Sequence, residues 1–156
     1  MRLLWITAAL IFVLDQVTKY WVVQALDLKT VGSIDVLPPF LNLRMAWNEG
    51  INFGLFAGQS DTTRWILIAI AFLITGWVLW WIRKEGTRPM AFISAGVLIG
   101  GAMGNVIDRF IYGAVADFLN MSCCGFTNPY AFNVADIAIF AGALGLIFFT
   151  GESKPA

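Results

Sequence analysis

GGAMGNVIDRFIYGAVADFLNMSCCGFTNPYAFNVAD, residues 100–136, is the stretch from which the rest of the chain is read. Three polar clusters interrupt an otherwise apolar sequence here. Asn105, Asp108 and Arg109 fall at the end of one apolar run, Asp117 lies in the short connection, and Asn133 and Asp136 open the next run. Ionisable groups at bilayer depth are costly unless they pair or line a wet cavity, so such a cluster marks a functional site. Run, connector and run turn two helix ends and their link to one membrane face, where a molecule arriving from the bilayer meets water. The stretch reads as an active site.

Composition agrees with a membrane setting. The 156 residues are 59% hydrophobic and 13% charged, with mean hydropathy +0.76, far from a soluble average. A single membrane-embedded domain, 1–156, accounts for that length. The formal net charge is zero, which gives no case for nucleic acid as a partner. There is no histidine, so histidine-based nucleophile activation, proton shuttling and HExxH metal sites are excluded. The two cysteines, Cys123 and Cys124, are adjacent, which supplies neither a disulfide framework nor a zinc set and reads as incidental loop residues.

Four spans are expected. Leu3 to Leu26 is long enough to cross ~30 Å of hydrocarbon. Asp15 in its middle, with no small-residue cleavage site after it, argues for a permanent helix over a removed leader. Asp15 and Lys19 are one turn apart and share a face, either as an internal ion pair or as a substrate contact. Trp65–Ile82 and Met90–Ile107 carry no charge, the second with Gly96, Gly100, Gly101 and Gly104 for close helix approach. The last span runs from about Ala131 to Thr150, followed by a polar tail, Glu152 to Ala156. Between the first two spans, Leu41, Leu43, Met45 and Trp47 alternate with Asn42, Arg44, Ala46 and Asn48, the period of a strand with one oily face. The NEGINFG run, 48–54, reads on spacing as a turn whose two amide side chains, Asn48 and Asn52, can bond a ligand. The fold class is thus an all-α polytopic membrane protein: four transmembrane helices, with a small extracytoplasmic β-rich segment between helices 1 and 2. Arg83, Lys84 and Arg88 place the 83–89 turn in the cytoplasm, and Arg2 and Lys154 put both termini with it. Every acidic residue but Glu85 and Glu152 then lies toward the outer face.

Asp15 has Lys19 nearby, and Asp108 has Arg109 and Asn105, whereas Asp117 and Asp136 have no base within seven positions. If Asp117 and Asp136 meet, they share a proton, because two like charges in a partly dry site do not both stay ionised. Such a pair suits amide hydrolysis, one carboxylate activating water while the other acid polarises the carbonyl, with no metal or cofactor. The dipole at the start of a helix favours an ionised Asp136, and Val115 and Phe118 favour a neutral Asp117. Competing readings are a proton channel or transporter, a serine–lysine peptidase using Lys19 and a distant serine such as Ser94, and a non-enzymatic assembly subunit.

In order, DQVTK (15–19), NEGINFG (48–54), GGAMGNVIDR (100–109), VADF (115–118) and FNVAD (132–136) resemble the motif set of the bacterial lipoprotein signal peptidases, signal peptidase II. The resemblance implies a membrane aspartic endopeptidase that removes the signal peptide from prolipoproteins, cleaving before the diacylglyceryl-modified cysteine. It implies Asp117 and Asp136 as the catalytic pair, with Asn48, Gly50, Asn105, Asp108, Arg109 and Asn133 lining and supporting the site and Asp15 and Lys19 stabilising it or positioning substrate. It further implies no cofactor, a lipidated prolipoprotein and the phospholipid bilayer as partners, and a multi-pass, monomeric protein of the bacterial inner membrane.

Overall fold

Inside a bilayer the backbone has no water to bond, so long apolar runs close their hydrogen bonds internally as helices. The computed structural model describes residues 1–50, 61–85 and 88–150. Helix α1 (Arg2–Tyr20) continues through a π-helical turn, Trp21–Ala25, and a short helix α2 (Leu28–Val31) leads into strands β1 (Ser33–Leu37) and β2 (Leu41–Asn48). Helices α3 (Asp61–Glu85) and α4 (Pro89–Tyr112), strand β3 (Val115–Met121) and helix α5 (Val134–Thr150) follow. Three segments, Arg2–Ala25, Asp61–Lys84 and Pro89–Tyr112, are long and apolar enough to cross a membrane, while the apolar helix Val134–Thr150 is shorter. Its 17 residues reach about 25 Å, against about 30 Å of hydrocarbon.

Pro89 starts α4, where a missing N–H costs nothing, and Gly113 ends it in the left-handed region (φ +80°), its N–H donating to Arg109 O at 3.2 Å. Helix α4 therefore runs past the expected Ile107, and Asn105, Asp108 and Arg109 lie on its last two turns.

Small residues set the helix packing. Gly96 lies against Leu4, Gly100 against Ala8, and Gly104 against Asp15, so α1 and α4 run parallel. Gly101 meets Ala135 and Gly142 meets Leu98, so α5 runs antiparallel to α4. Arg64 at the start of α3 donates to Phe110 O near the end of α4 at 2.9 Å, which makes α3 antiparallel as well. The result separates two ends. One holds an apolar cluster of Leu4, Val78, Ile82, Ala91, Leu98 and Leu146, among others; the other holds the buried charged side chains among the described residues, Asp15, Lys19, Asp108 and Asp117.

The sheet is antiparallel in the order β1-β2-β3. The period-two reading of 41–47 matches β2, and Leu43 packs with Val22, Leu28 and Phe118 in a second small core. The segment expected as a plain connection around Asp117 is instead β3, with Asp117 opposite Ala46 and Val115 opposite Asn48. Strand pairing is long range, and local pattern in VADF does not announce it. Cys123 and Cys124, read as incidental, are joined by a disulfide in the exposed loop after β3; spanning adjacent residues, it closes no larger loop.

A Cβ on Gly101 would stand 2.5 Å from the Ala135 carbonyl oxygen, whereas one on Gly76 meets nothing within 4 Å. Gly101→Ala is expected to lose roughly 1–3 kcal/mol by wedging α4 from α5, and Gly76→Ala to be neutral or slightly stabilising, as read by thermal unfolding in detergent.

Candidate active site

The first N–H groups of a helix have no intrahelical acceptors, and at the start of α5 side chains supply them. Asn133 Oδ1 accepts the Asp136 N–H at 2.9 Å, and Asp136 Oδ2 accepts the Asn133 N–H at 3.1 Å, a reciprocal cap. Asp15 Oδ1, from α1, accepts the Ala135 N–H at 2.9 Å. With its oxygen and backbone so engaged, fully buried Asn133 turns its NH2 toward Asp117 Oδ1 (2.6 Å), Asn105 Oδ1 (3.2 Å) and Ala116 O (3.4 Å). Asn48 Nδ2 donates to the other Asp117 oxygen at 3.0 Å, and Asn105 Nδ2 to Asp136 Oδ1 at 2.9 Å. One asparagine thus holds both Asp117 and Asp136.

Behind this pair lies a buried ion cluster. Lys19 Nζ is 2.9 Å from Asp15 Oδ2 and 2.7 Å from Asp108 Oδ2, and donates to Asn105 Oδ1 at 3.1 Å. Gln16 Nε2 bonds Asp15 Oδ2 and Asp108 Oδ1, both at 3.1 Å, and Asp108 Oδ2 accepts the Ala116 N–H of β3 at 3.2 Å. The partner of Asp108 is therefore Lys19 and not its neighbour Arg109. Successive residues on a helix point in different directions. Arg109 donates instead to Asn105 O (3.3 Å) and Gly50 O (3.4 Å), which ties the end of β2 to α4.

Residues 7–150 match the profile of the family described as signal peptidase (SPase) II. The chain belongs to the signal peptidase II family. Lipoprotein signal peptidases of Rhodopseudomonas palustris and Methylobacterium sp. are 43% and 40% identical to this peptidase, the matches covering 92% and 95% of it and 88% of each relative. A bacterial membrane enzyme solved by the in meso method at 1.9 Å resolution has a similar fold, with TM-score 0.78 and 27% identity over 96% of this chain and 92% of the other.

In the peptidase, the described site residues expected from the sequence belong to one continuous network of hydrogen bonds and ion pairs: Asp15 and Lys19 on α1, Asn48 at the end of β2 and Gly50 just beyond it, Asn105, Asp108 and Arg109 on α4, Asp117 on β3, Asn133 and Asp136 at α5. Asn52 and Gly54 of the NEGINFG run, Gly86 and Thr87 of the basic turn and the tail with Lys154 lie outside the described residues. Gln16 was not singled out from the sequence, although it lies inside the DQVTK run. A polar side chain one position from a buried acid in a span was the available signal. Ser94 bonds Met90 O and packs near Gly145, eleven residues or about 16 Å along α4 from Asn105. That distance leaves it unable to serve Lys19 as a nucleophile.

Asp117, 1% exposed, has its carboxyl pushed up to about 7, first by burial and then by the charge of Asp136. The amides of Asn48 and Asn133 and the Lys19 charge pull the other way and do not prevail. An acid raised in the folded state favours the protonated form, so its stabilising contribution is complete below the unfolded value near 3.8 and is lost as pH rises through about 7. Asp117→Asn abolishes that loss. The variant is expected to gain stability over the parent, on the order of a few kcal/mol, between pH 4 and pH 8, as read by paired melting curves.

Proposed function

We propose that this peptidase is a membrane aspartic endopeptidase that removes the signal peptide from diacylglyceryl-modified prolipoproteins, cutting on the N-terminal side of the lipidated cysteine. The observation that carries the reading is Asn133, whose side chain donates to Asp117 and whose backbone donates to Asp136. A shared donor keeps two buried carboxyls in one site, which is what water activation between them requires. The names of the relatives, lipoprotein signal peptidases, support the substrate class.

The reaction follows from the two environments. Asp136, accepting N–H donors on both oxygens at the start of α5, takes a proton from water as the water oxygen bonds to the scissile carbonyl carbon. Asp117, raised to about 7, gives its proton to the carbonyl oxygen. Collapse of the tetrahedral intermediate breaks the C–N bond; the proton held by Asp136 passes to the leaving amine, and the diol proton returns to Asp117. The products are a carboxylic acid and an amine, and both aspartates return to their starting states. No cofactor or metal enters this scheme. Arg109, within electrostatic reach of Asp117 and Asp136, and the carbonyl of Gly50 border the site on the strand side.

The polar end faces outward in this reading, with α5 as a fourth, short span, both termini cytoplasmic and the monomeric chain in the inner membrane. The basic turn at Arg83, Lys84 and Arg88 supports that orientation. A lipid-anchored substrate then reaches the site by diffusing within the bilayer, where confinement raises its local concentration.

Purified enzyme in liposomes, offered a lipidated prolipoprotein, is expected to cleave equally with and without chelator. Asp117→Asn and Asp136→Asn are each expected to cut the rate at least ~10²-fold with helix content retained. Cleavage near the parent rate by either variant removes that aspartate from the chemistry, and proton flux across the liposomes that persists in both favours a transporter instead.

A further inference from the structure

The two ends of an asparagine amide occupy nearly the same space, so hydrogen bonding alone chooses which end points where. At Asn105 the choice bears on Asp136. Asn105 Oδ1 accepts from Lys19 Nζ at 3.1 Å and from Asn133 Nδ2 at 3.2 Å, and Nδ2 donates to Asp136 Oδ1 at 2.9 Å. The reversed amide sets its NH2 against an ammonium and a second NH2, and its oxygen against a carboxylate oxygen. Of the two donors on Oδ1, Asn133 divides its NH2 with Asp117 and Ala116 O, while Lys19 is clamped by Asp15 and Asp108. An ammonium has three N–H bonds, and Asp15, Asp108 and Asn105 take all three. Lys19 is 5% exposed, so its ammonium is turned inward to these three acceptors.

We infer that Lys19 is a positioning residue that acts through Asn105: its ammonium holds the amide oxygen, and so aims the amide N–H at Asp136 and keeps that carboxyl ready to accept a proton from water. The inference rests on Asp136 as the catalytic base. It separates two duties of one side chain. Joining α1 to α4 needs a cation between Asp15 and Asp108; orienting Asn105 needs that cation within reach of Oδ1. Among the described residues, Arg109 from α4 and Asp117 from β3 act on Asp136 electrostatically, and Lys19 and Asp15 from α1 with Asp108 from α4 form the ion cluster behind it.

The test is a cycle of cleavage rates on a lipidated prolipoprotein with the full chain in detergent. Lys19→Met is combined with Asp108→Asn, which leaves the net charge of the cluster unchanged, with Asp108→Asn alone as its control; Lys19→Gln is a second, milder variant. Each is made with Asn105 intact and with Asn105→Ala. The expected result is a fall in kcat of about 10- to 100-fold with KM changed less than about twofold, and a shift of the acid limb of the kcat profile to higher pH. With Asn105→Ala present, the same Lys19 changes are expected to cost nothing further. Equal losses in both backgrounds overturn the inference, as does an unmoved acid limb. Loss of folded protein from every Lys19 change in both backgrounds also overturns it and leaves Lys19 a structural ion. Asp136→Asn, run alongside, keeps the two claims apart: an active Asp136→Asn refutes the catalytic base, whereas an inactive one with additive Lys19 losses refutes only the role of Lys19.

Discussion

A buried ammonium in an apolar helix bundle is tolerable only if each of its N–H bonds finds an acceptor, and the architecture follows from how Lys19 finds three. Removing a charge from water costs several kcal/mol, so the ion enforces its own company. Asp15 lies one turn back on α1, while Asp108 and Asn105 are on α4, so the ion joins those two helices. Each acceptor then has capacity left over. Asp15 catches the Ala135 N–H of α5, Asp108 the Ala116 N–H of β3, and Asn105 reaches Asp136. One cation thereby sets the starting points of the two elements that carry Asp117 and Asp136.

The sheet contributes by alternation. Neighbouring side chains on a strand point to opposite faces, so with Asp117 turned to the site, Phe118 turns away into the small core formed by Val22, Leu28 and Leu43. Phe132 O accepts the N–H groups of both Phe118 and Leu119, at 3.1 and 2.8 Å, which fastens the far end of the connection to β3 just before Asn133. Asp117 is thus held from three sides: by register with β2, by the anchor of Phe118, and by the amides of Asn48 and Asn133.

What could be read in the sequence divides along the same lines. Apolar runs interrupted by acids were visible as apolar helices and as a polar cluster because hydrophobicity and its exceptions are local properties. The strand at 41–48 was visible through its alternation. Its partner at 115–121 was not, because VADFLNM is almost uniformly buried, as a strand covered on both faces is, and has no period to read. The pairing of Asp108 with Lys19 was also hidden, since 89 positions separate them in sequence and the adjacent Arg109 offered a misleading partner. Helix geometry turns those neighbours apart, and only the crossing of α1 on α4 reveals the true one. The reciprocal cap was half legible: Asn133 three residues before Asp136 has the spacing of a capping pair, but that Asn133 also serves Asp117 depends on where β3 runs.

The division of the bundle into a polar end and an apolar end carries a last implication. Among the described residues, the cluster around Leu4, Ala8, Val78, Ile82 and Leu98 contains no titratable side chain, and Ser94 spends its hydroxyl on its own helix. Thr75 of α3 is another buried hydroxyl outside the ion cluster, and it carries no charge. Buried charge among the described residues is thereby confined to one end of the bundle, so that a change of pH strains that end first while the apolar packing between the helices keeps its hold.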